Sequence, residues 1–145
     1  MPASAKSAYL SIKNFTRHNV AGLPFKKIAD DIAPDWEISL VFVGPKKARE
    51  LNKQLRNKEY IPNVLSYRLD GAVPDVALAK SGEIFICPSE AAKQAPDFQL
   101  SAEDFLLFLF IHGVLHIQGW DHGVKMETCE RKILKRYVSK DSDRH

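Results

Sequence analysis

The continuous apolar run Phe105-Leu106-Leu107-Phe108-Leu109-Phe110-Ile111 constrains the fold of this chain more than any other feature. A helix built from such a run has no polar face, so it predicts a helix covered by protein on nearly every side. Ser101, followed three residues later by Asp104, marks its start as a capping box does. Gly119 marks its end, because glycine enters the left-handed conformation that stops helices without a Cβ penalty. A helix from Ser101 to Gln118 therefore forms the centre of the core, and the rest of the chain has to cover it. With 145 residues and 45% hydrophobic content, one domain spanning residues 1–145 closes such a core without staples.

The covering elements can be read from local pattern. Tyr9-Leu10-Ser11-Ile12 alternates apolar and polar residues, and Ile38 to Val43 is a β-branched run stopped by Gly44-Pro45, so both are expected as strands. Phe25, Ile28, Ala29 and Ile32 fall at helical spacing and end near Pro34. Pro45 suits the first turn of a second helix, in which Ala48, Leu51 and Leu55 form the inward face as far as Arg56. Val64 to Tyr67 and Glu83 to Cys87 are two further strands, separated by the turn chemistry of Asp70-Gly71, Pro74 and Ser81-Gly82. A short helix follows from Pro88 to Ala95 until Pro96 interrupts it, and a last helix runs from about Lys125 to Tyr137 before a frayed polar tail, Ser139 to His145. The expected class is α+β: a small, four-stranded mixed sheet packed with about five helices.

Cys87 and Cys129 lie far apart and form no Cys-x-x-Cys pair, which argues against a disulfide framework or a thiolate metal cluster and for two reduced packing residues. Residues 1–8 carry no apolar signal-type stretch and no run reaches the length of a membrane span, so a soluble, cytoplasmic protein is expected. The net charge is only +3, but Lys46, Lys47, Arg49, Lys53, Arg56 and Lys58 crowd one segment, and Arg131, Lys132, Lys135 and Arg136 another. Such clusters suit a polyanion, or equally form solvated helix faces balanced by Glu50, Glu59, Glu127 and Glu130.

The chemistry concentrates just after the apolar run, in His112-Gly-Val-Leu-His116-Ile-Gln-Gly-Trp-Asp-His122. Residues four apart on a helix share a face, so His112 and His116 project together, and Gly119 provides a turn that lets His122 swing back as a third ligand. Satisfied core histidines are the plain alternative, and the added glycine and third histidine weigh against it. The ligand spacing His-x-x-x-His-x-x-Gly-x-x-His resembles that of the metzincin metalloproteases. Zinc is the expected ion for three imidazoles, which leave a fourth position for water. Gly113, however, stands where those proteases have a glutamate as general base, which turns the site away from ordinary peptide hydrolysis.

The same histidine block resembles the signature of the YbeY family of endoribonucleases, with Trp120 in place of a tyrosine. A second block supports the resemblance: Leu51-Asn52, then Arg56, then Asn63-Val64-Leu65-Ser66-Tyr67, with Gly82-Glu83-Ile84, Met126 and Glu130 further on, so that it spans about residues 37 to 137. Asn57 stands where the family often has glycine, Ile61-Pro62 replaces Pro-Thr, and Glu83 replaces aspartate. The resemblance implies a metal-dependent endoribonuclease that prefers single-stranded RNA and acts on ribosomal RNA of the small ribosomal subunit, in its maturation and in ribosome quality control. It implies zinc held by His112, His116 and His122, with His112 and Arg56 as catalytic residues, the guanidinium neutralising the scissile phosphate. Lys46, Lys47, Lys53 and Lys58 are then candidates to follow an RNA backbone, and Tyr60 or Tyr67 to stack on bases, unless these rings belong to the core. Asp121 is expected either to orient a histidine or to cap the last helix, and Trp120 to plug the site from behind. A metzincin-like peptidase and a non-enzymatic ribosome assembly factor tied together by zinc are the competing readings.

Overall fold

In the computed structural model, which describes residues 7–69 and 80–138, alternation along three strands creates two differently covered sheet faces. The strands are β1 (Tyr9–Asn14), β2 (Trp36–Phe42), β3 (Val64–Arg68) and β4 (Lys80–Ile86), in the spatial order β1-β2-β4-β3. β1 and β4 flank β2 in parallel, while β3 runs antiparallel to β4 at one edge. Ile38, Leu40 and Phe42, paired in register with Gly82, Ile84 and Ile86, present one continuous apolar face. This α+β arrangement matches the expected class.

On that face lie α1 (Phe25–Ile32) and α4 (Ala102–Ile117). Phe25, Ile28 and Ala29 of α1 meet Phe110 and its neighbours of α4, with the Phe25 and Phe110 rings edge to face at 5.3 Å between centroids. Helix α4 buries residues on every side, from Asp104 to Ile117, as its composition requires. Its first turn is capped by Ser101, whose Oγ accepts the Asp104 N–H at 3.0 Å. The opposite sheet face is covered in part by α2 (Pro45–Arg56), where Ala48 packs with Val41, Val43 and Cys87. A helix α3 (Pro88–Gln94) and a 3-10 turn (Ala95–Phe98) lead back to α4, and α5 (Val124–Lys135) closes the layer through Met126, Ile133 and Leu134. Both cysteines are free, Cys87 buried and Cys129 half-buried.

Several expectations are corrected. Ser81-Gly82 is not a turn but part of β4, and its glycine has a packing reason: a Cβ built on Gly82 would lie 2.7 Å from two side-chain atoms of Ile117. The inward face of α2 is Ala48 and Asn52, with Leu51 half-buried and Leu55 47% exposed, because the stripe facing the sheet follows the i, i+4 pair rather than the leucines. The helix from Pro88 does end before Pro96, as expected, and the chain continues there as the 3-10 turn. The expected turns between Asp70 and Pro74 and the tail from Ser139 lie outside the described residues. Among the described residues no single helix is long and apolar enough to cross a membrane.

Candidate metal centre and its cleft

The C-terminal end of α4 is built as a Schellman motif. Gly119, at φ 97°, donates its N–H to the His116 carbonyl at 3.0 Å, and Trp120 donates to the Leu115 carbonyl at 3.1 Å. This turn reverses the chain and returns His122 to the helix face from which His112 and His116 project. The His122 ring then lies 5.1 Å from that of His112 and 5.5 Å from that of His116, centroid to centroid. The three histidines singled out in the sequence are therefore brought together.

Two of the rings are already held from behind. His112 Nδ1 lies 2.5 Å from Glu130 Oε2, a carboxylate of α5 whose side chain is 4% exposed. His116 Nδ1 lies 3.0 Å from Ser66 Oγ of β3. With both Nδ1 atoms engaged, Nε2 is the ring nitrogen left to act as a ligand, and a carboxylate behind a ligating imidazole is the usual support for one. Two imidazoles on one tetrahedral zinc, at Zn–N of ~2.0–2.1 Å, have centroids roughly 5 Å apart, close to the spacing found. The His122 ring is stacked on that of His116 at 29° and tilted by 31° to that of His112. Among the described residues no three His, Cys, Asp or Glu side chains form a finished metal site. The donor chemistry fits a divalent ion held by three imidazoles. Burial, then the neighbouring His122 and His112 and the Arg56 guanidinium, lower the pKa of His116, keeping its ring neutral and its lone pair available at neutral pH.

The same cleft, of about 460 Å³, is lined by all three histidines together with Arg56, Tyr60, Asn63, Ser66 and Gln94. Arg56 reaches it because α2 ends there. The next residue, Asn57, takes the left-handed conformation at φ 56°, and its N–H returns to the Lys53 and Asn52 carbonyls. Asparagine is the side chain that tolerates this region best after glycine, which explains how Asn57 serves at a position where glycine was expected. Arg56 Nη1 donates to Tyr60 Oη at 3.0 Å, fixing the guanidinium at the margin of the cleft. Asn52, fully buried, donates from Nδ2 to the Tyr60 carbonyl and so anchors the same loop.

Other candidates fall elsewhere. Lys46 and Lys47 sit at the far end of α2, roughly 15 Å along the helix at 1.5 Å per residue, and Lys53 pairs with Glu59 at 3.5 Å; none of these lines the cleft. Tyr67 follows Ser66 on β3 and so faces the other side of the sheet, where it stacks on Phe85 and donates to Glu83. Burial, and then the Glu83 carboxylate, push the Tyr67 phenol pKa above its ordinary value. Trp120 is 39% exposed rather than a buried plug, because the Schellman turn carries it outward. The N-cap of α5 is Gly123, with no side-chain bond, so neither Asp121 nor His122 caps that helix, and Glu130 is the carboxylate that orients a histidine. Glu130 and Ser66 are site residues to which pattern reading gave no role, though both lie in the blocks that carry the family resemblance. The signal for Glu130 was a lone carboxylate on the otherwise apolar inward stripe Met126, Ile133, Leu134.

Gly113 is explained by packing: a Cβ there would meet Ile84 of β4 at 3.2 Å. The position after the first histidine thus points into the sheet, and a glutamate there would be driven into the core rather than toward the histidines.

The family model described as Endoribonuclease YbeY matches residues 5–138, and the chain belongs to the YbeY family. It is 36% identical over 118 residues to Endoribonuclease YbeY of Staphylococcus carnosus (strain TM300), covering 79% of this chain and 76% of that protein. It is also 36% identical over 109 residues to Endoribonuclease YbeY of Nautilia profundicola, covering 73% and 76%. The solution structure of TM1509 from Thermotoga maritima shares the fold, with a TM-score of 0.61 over 88% of each chain at 24% identity.

Proposed function

We propose that this chain is a zinc-dependent endoribonuclease that cuts single-stranded RNA, acting as one domain in the cytoplasm on ribosomal RNA of the small subunit, in its maturation and in ribosome quality control. The observation that carries the reading is the sharing of one cleft by Arg56 and the three histidines. A zinc ion held by His112, His116 and His122 would supply Lewis acidity, activating water near neutral pH and polarising a phosphoryl oxygen. The chain's own groups do the rest. Glu130 and Ser66 hold the His112 and His116 rings, so that two of the three imidazoles are oriented before RNA arrives. Arg56, steadied by Tyr60, meets the phosphate with a planar pair of donors and offsets the charge that builds on its oxygens during cleavage. The peptidase alternative loses its base at Gly113, where a Cβ would already crowd Ile84.

The test is digestion of a single-stranded oligoribonucleotide by zinc-loaded protein, with unfolded protein as a second substrate. Cleavage of RNA alone is expected, abolished by chelator and by His116→Ala or His122→Ala. Arg56→Ala should lower kcat about 10²–10³-fold, as loss of one charge-stabilising donor does, and Arg56→Lys should restore little, since an ammonium cannot make the paired contact. RNA cleavage equal in the wild type and His116→Ala would sink the reading. Zinc uptake without cleavage of either substrate would leave a structural ion and a non-enzymatic factor.

A further inference from the structure

Beyond the histidines, on the side away from Arg56, lies a second and larger cleft of about 630 Å³ that the mechanism above leaves unused. His112, His122, Asn63 and Val64 line both clefts, so the two are continuous across the histidine wall. Its floor is a ladder of rings. Phe98 lies 5.6 Å from Phe108, Phe108 lies 6.2 Å from His112, and His112 lies 5.1 Å from His122, centroid to centroid. Phe105, fully buried, supports the first rungs at 4.7 Å from Phe98 and 5.7 Å from Phe108. Phe98 itself is 50% exposed, held out by the 3-10 turn and by Gln99 in the left-handed conformation at φ 58°.

We infer that this cleft is a base-binding subsite, in which an unpaired nucleobase next to the phosphate at the histidines stacks against Phe98 and Phe108. The inference rests on the nuclease reading and names what that reading leaves open, the group that positions the strand. Continuity with the histidines fixes the class of occupant, because a strand whose phosphate sits at His112 and His122 places a neighbouring base within reach of the ring ladder. The cleft lies within the ~300–1,000 Å³ range of small-molecule sites, which combine apolar walls with a few polar groups at the edge. Here Asn63 and Glu127 provide that edge, and Arg131, exposed at the margin, suits the anionic backbone. Glu130, also on the wall, is already committed to His112. Stacking on a π face tolerates any base, so the subsite gives single-strand preference without sequence reading.

The test places 2-aminopurine at successive positions of a single-stranded oligoribonucleotide and titrates it with the full chain in chelator, so that binding is read without cleavage. Quenching confined to one or two adjacent positions is expected. Phe98→Leu should remove it and weaken Kd about fivefold or more, while Phe98→Tyr keeps both and the melting temperatures of the three proteins stay close. Equal quenching at all positions, or a Phe98→Leu protein that binds and cuts as the wild type does, overturns the subsite and leaves the nuclease reading standing. Failure of the unaltered chain to bind or cut RNA overturns the nuclease reading itself. RNA binding untouched by Phe98→Leu, together with a loss of self-association, would make the cleft a protein-docking surface and equally overturn the proposal.

Discussion

Glu130 illustrates how one side chain can carry more of the site than its sequence context announces. It is almost fully buried, and its carboxylate reaches the Nδ1 of His112 at 2.5 Å. Removing such a support typically lowers metal affinity about 10–100-fold, so Glu130→Ala should show that loss in a zinc competition titration while His112 remains in place. Asn57 makes a second single-residue argument. Its left-handed backbone suits glycine and asparagine, whereas a β-branched side chain there costs roughly 1–2 kcal/mol. Asn57→Gly should be close to neutral in thermal unfolding, and Asn57→Val should lower the melting temperature measurably and loosen Arg56 as well. Histidine spacing was legible at this scale because i, i+4 geometry is local. The partners of those histidines were not, because Ser66 lies 50 residues from His116 and Glu130 lies 18 from His112.

Helix α4 and strand β4 show what two elements settle between them. Gly82 and Gly113 are places where helix and sheet approach too closely for a free Cβ, one beneath Ile117 and the other above Ile84. This contact sets the height of α4 over the sheet, and with it the distance from His116 to Ser66 on the adjoining strand. Gly82→Ala forces a Cβ to within 2.7 Å of the β-branched Ile117, whose χ1 has little freedom in a helix. Overpacking of this kind costs about 1–3 kcal/mol. A lower urea midpoint is expected for Gly82→Ala, a smaller drop for Gly113→Ala, and partial recovery in Gly82→Ala with Ile117→Val; independent, additive effects would contradict the packing account. From sequence alone, Gly82 looked like a turn and Gly113 like a missing base. Neither reading could see that a second element lay against the position.

For the whole molecule, the layer of helices is tied at its margin by Asp31, which accepts hydrogen bonds from Tyr137 Oη and Arg136 Nη1, both at 2.7 Å, joining the end of α1 to the end of α5. The Tyr137 hydrogen bond holds the Asp31 carboxyl below its ordinary value of 3.8 against the opposing effect of burial, and Arg136 adds to the lowering. A depressed carboxylate contributes stability that is complete above its unfolded pKa and is lost as pH falls through the folded one. Stability should therefore decline from about pH 3.8 downward, and Asp31→Asn should flatten that part of the curve in denaturant titrations followed across pH. The group is one-third exposed, so the effect is modest. The sequence by itself determined most of the elements and the spacing of the three histidines: the apolar run, with Ser101 before it and Gly119 after it, marks a buried helix, and alternation and helical spacing are properties of neighbours along the chain. Tertiary structure alone decided which side of the sheet Tyr67 faces, that Arg56 rather than the lysines reaches the histidines, and that an aromatic ladder continues beyond them. Those outcomes depend on register and on the height of α4 above the sheet, which are fixed by groups far apart in the chain that meet only when it folds.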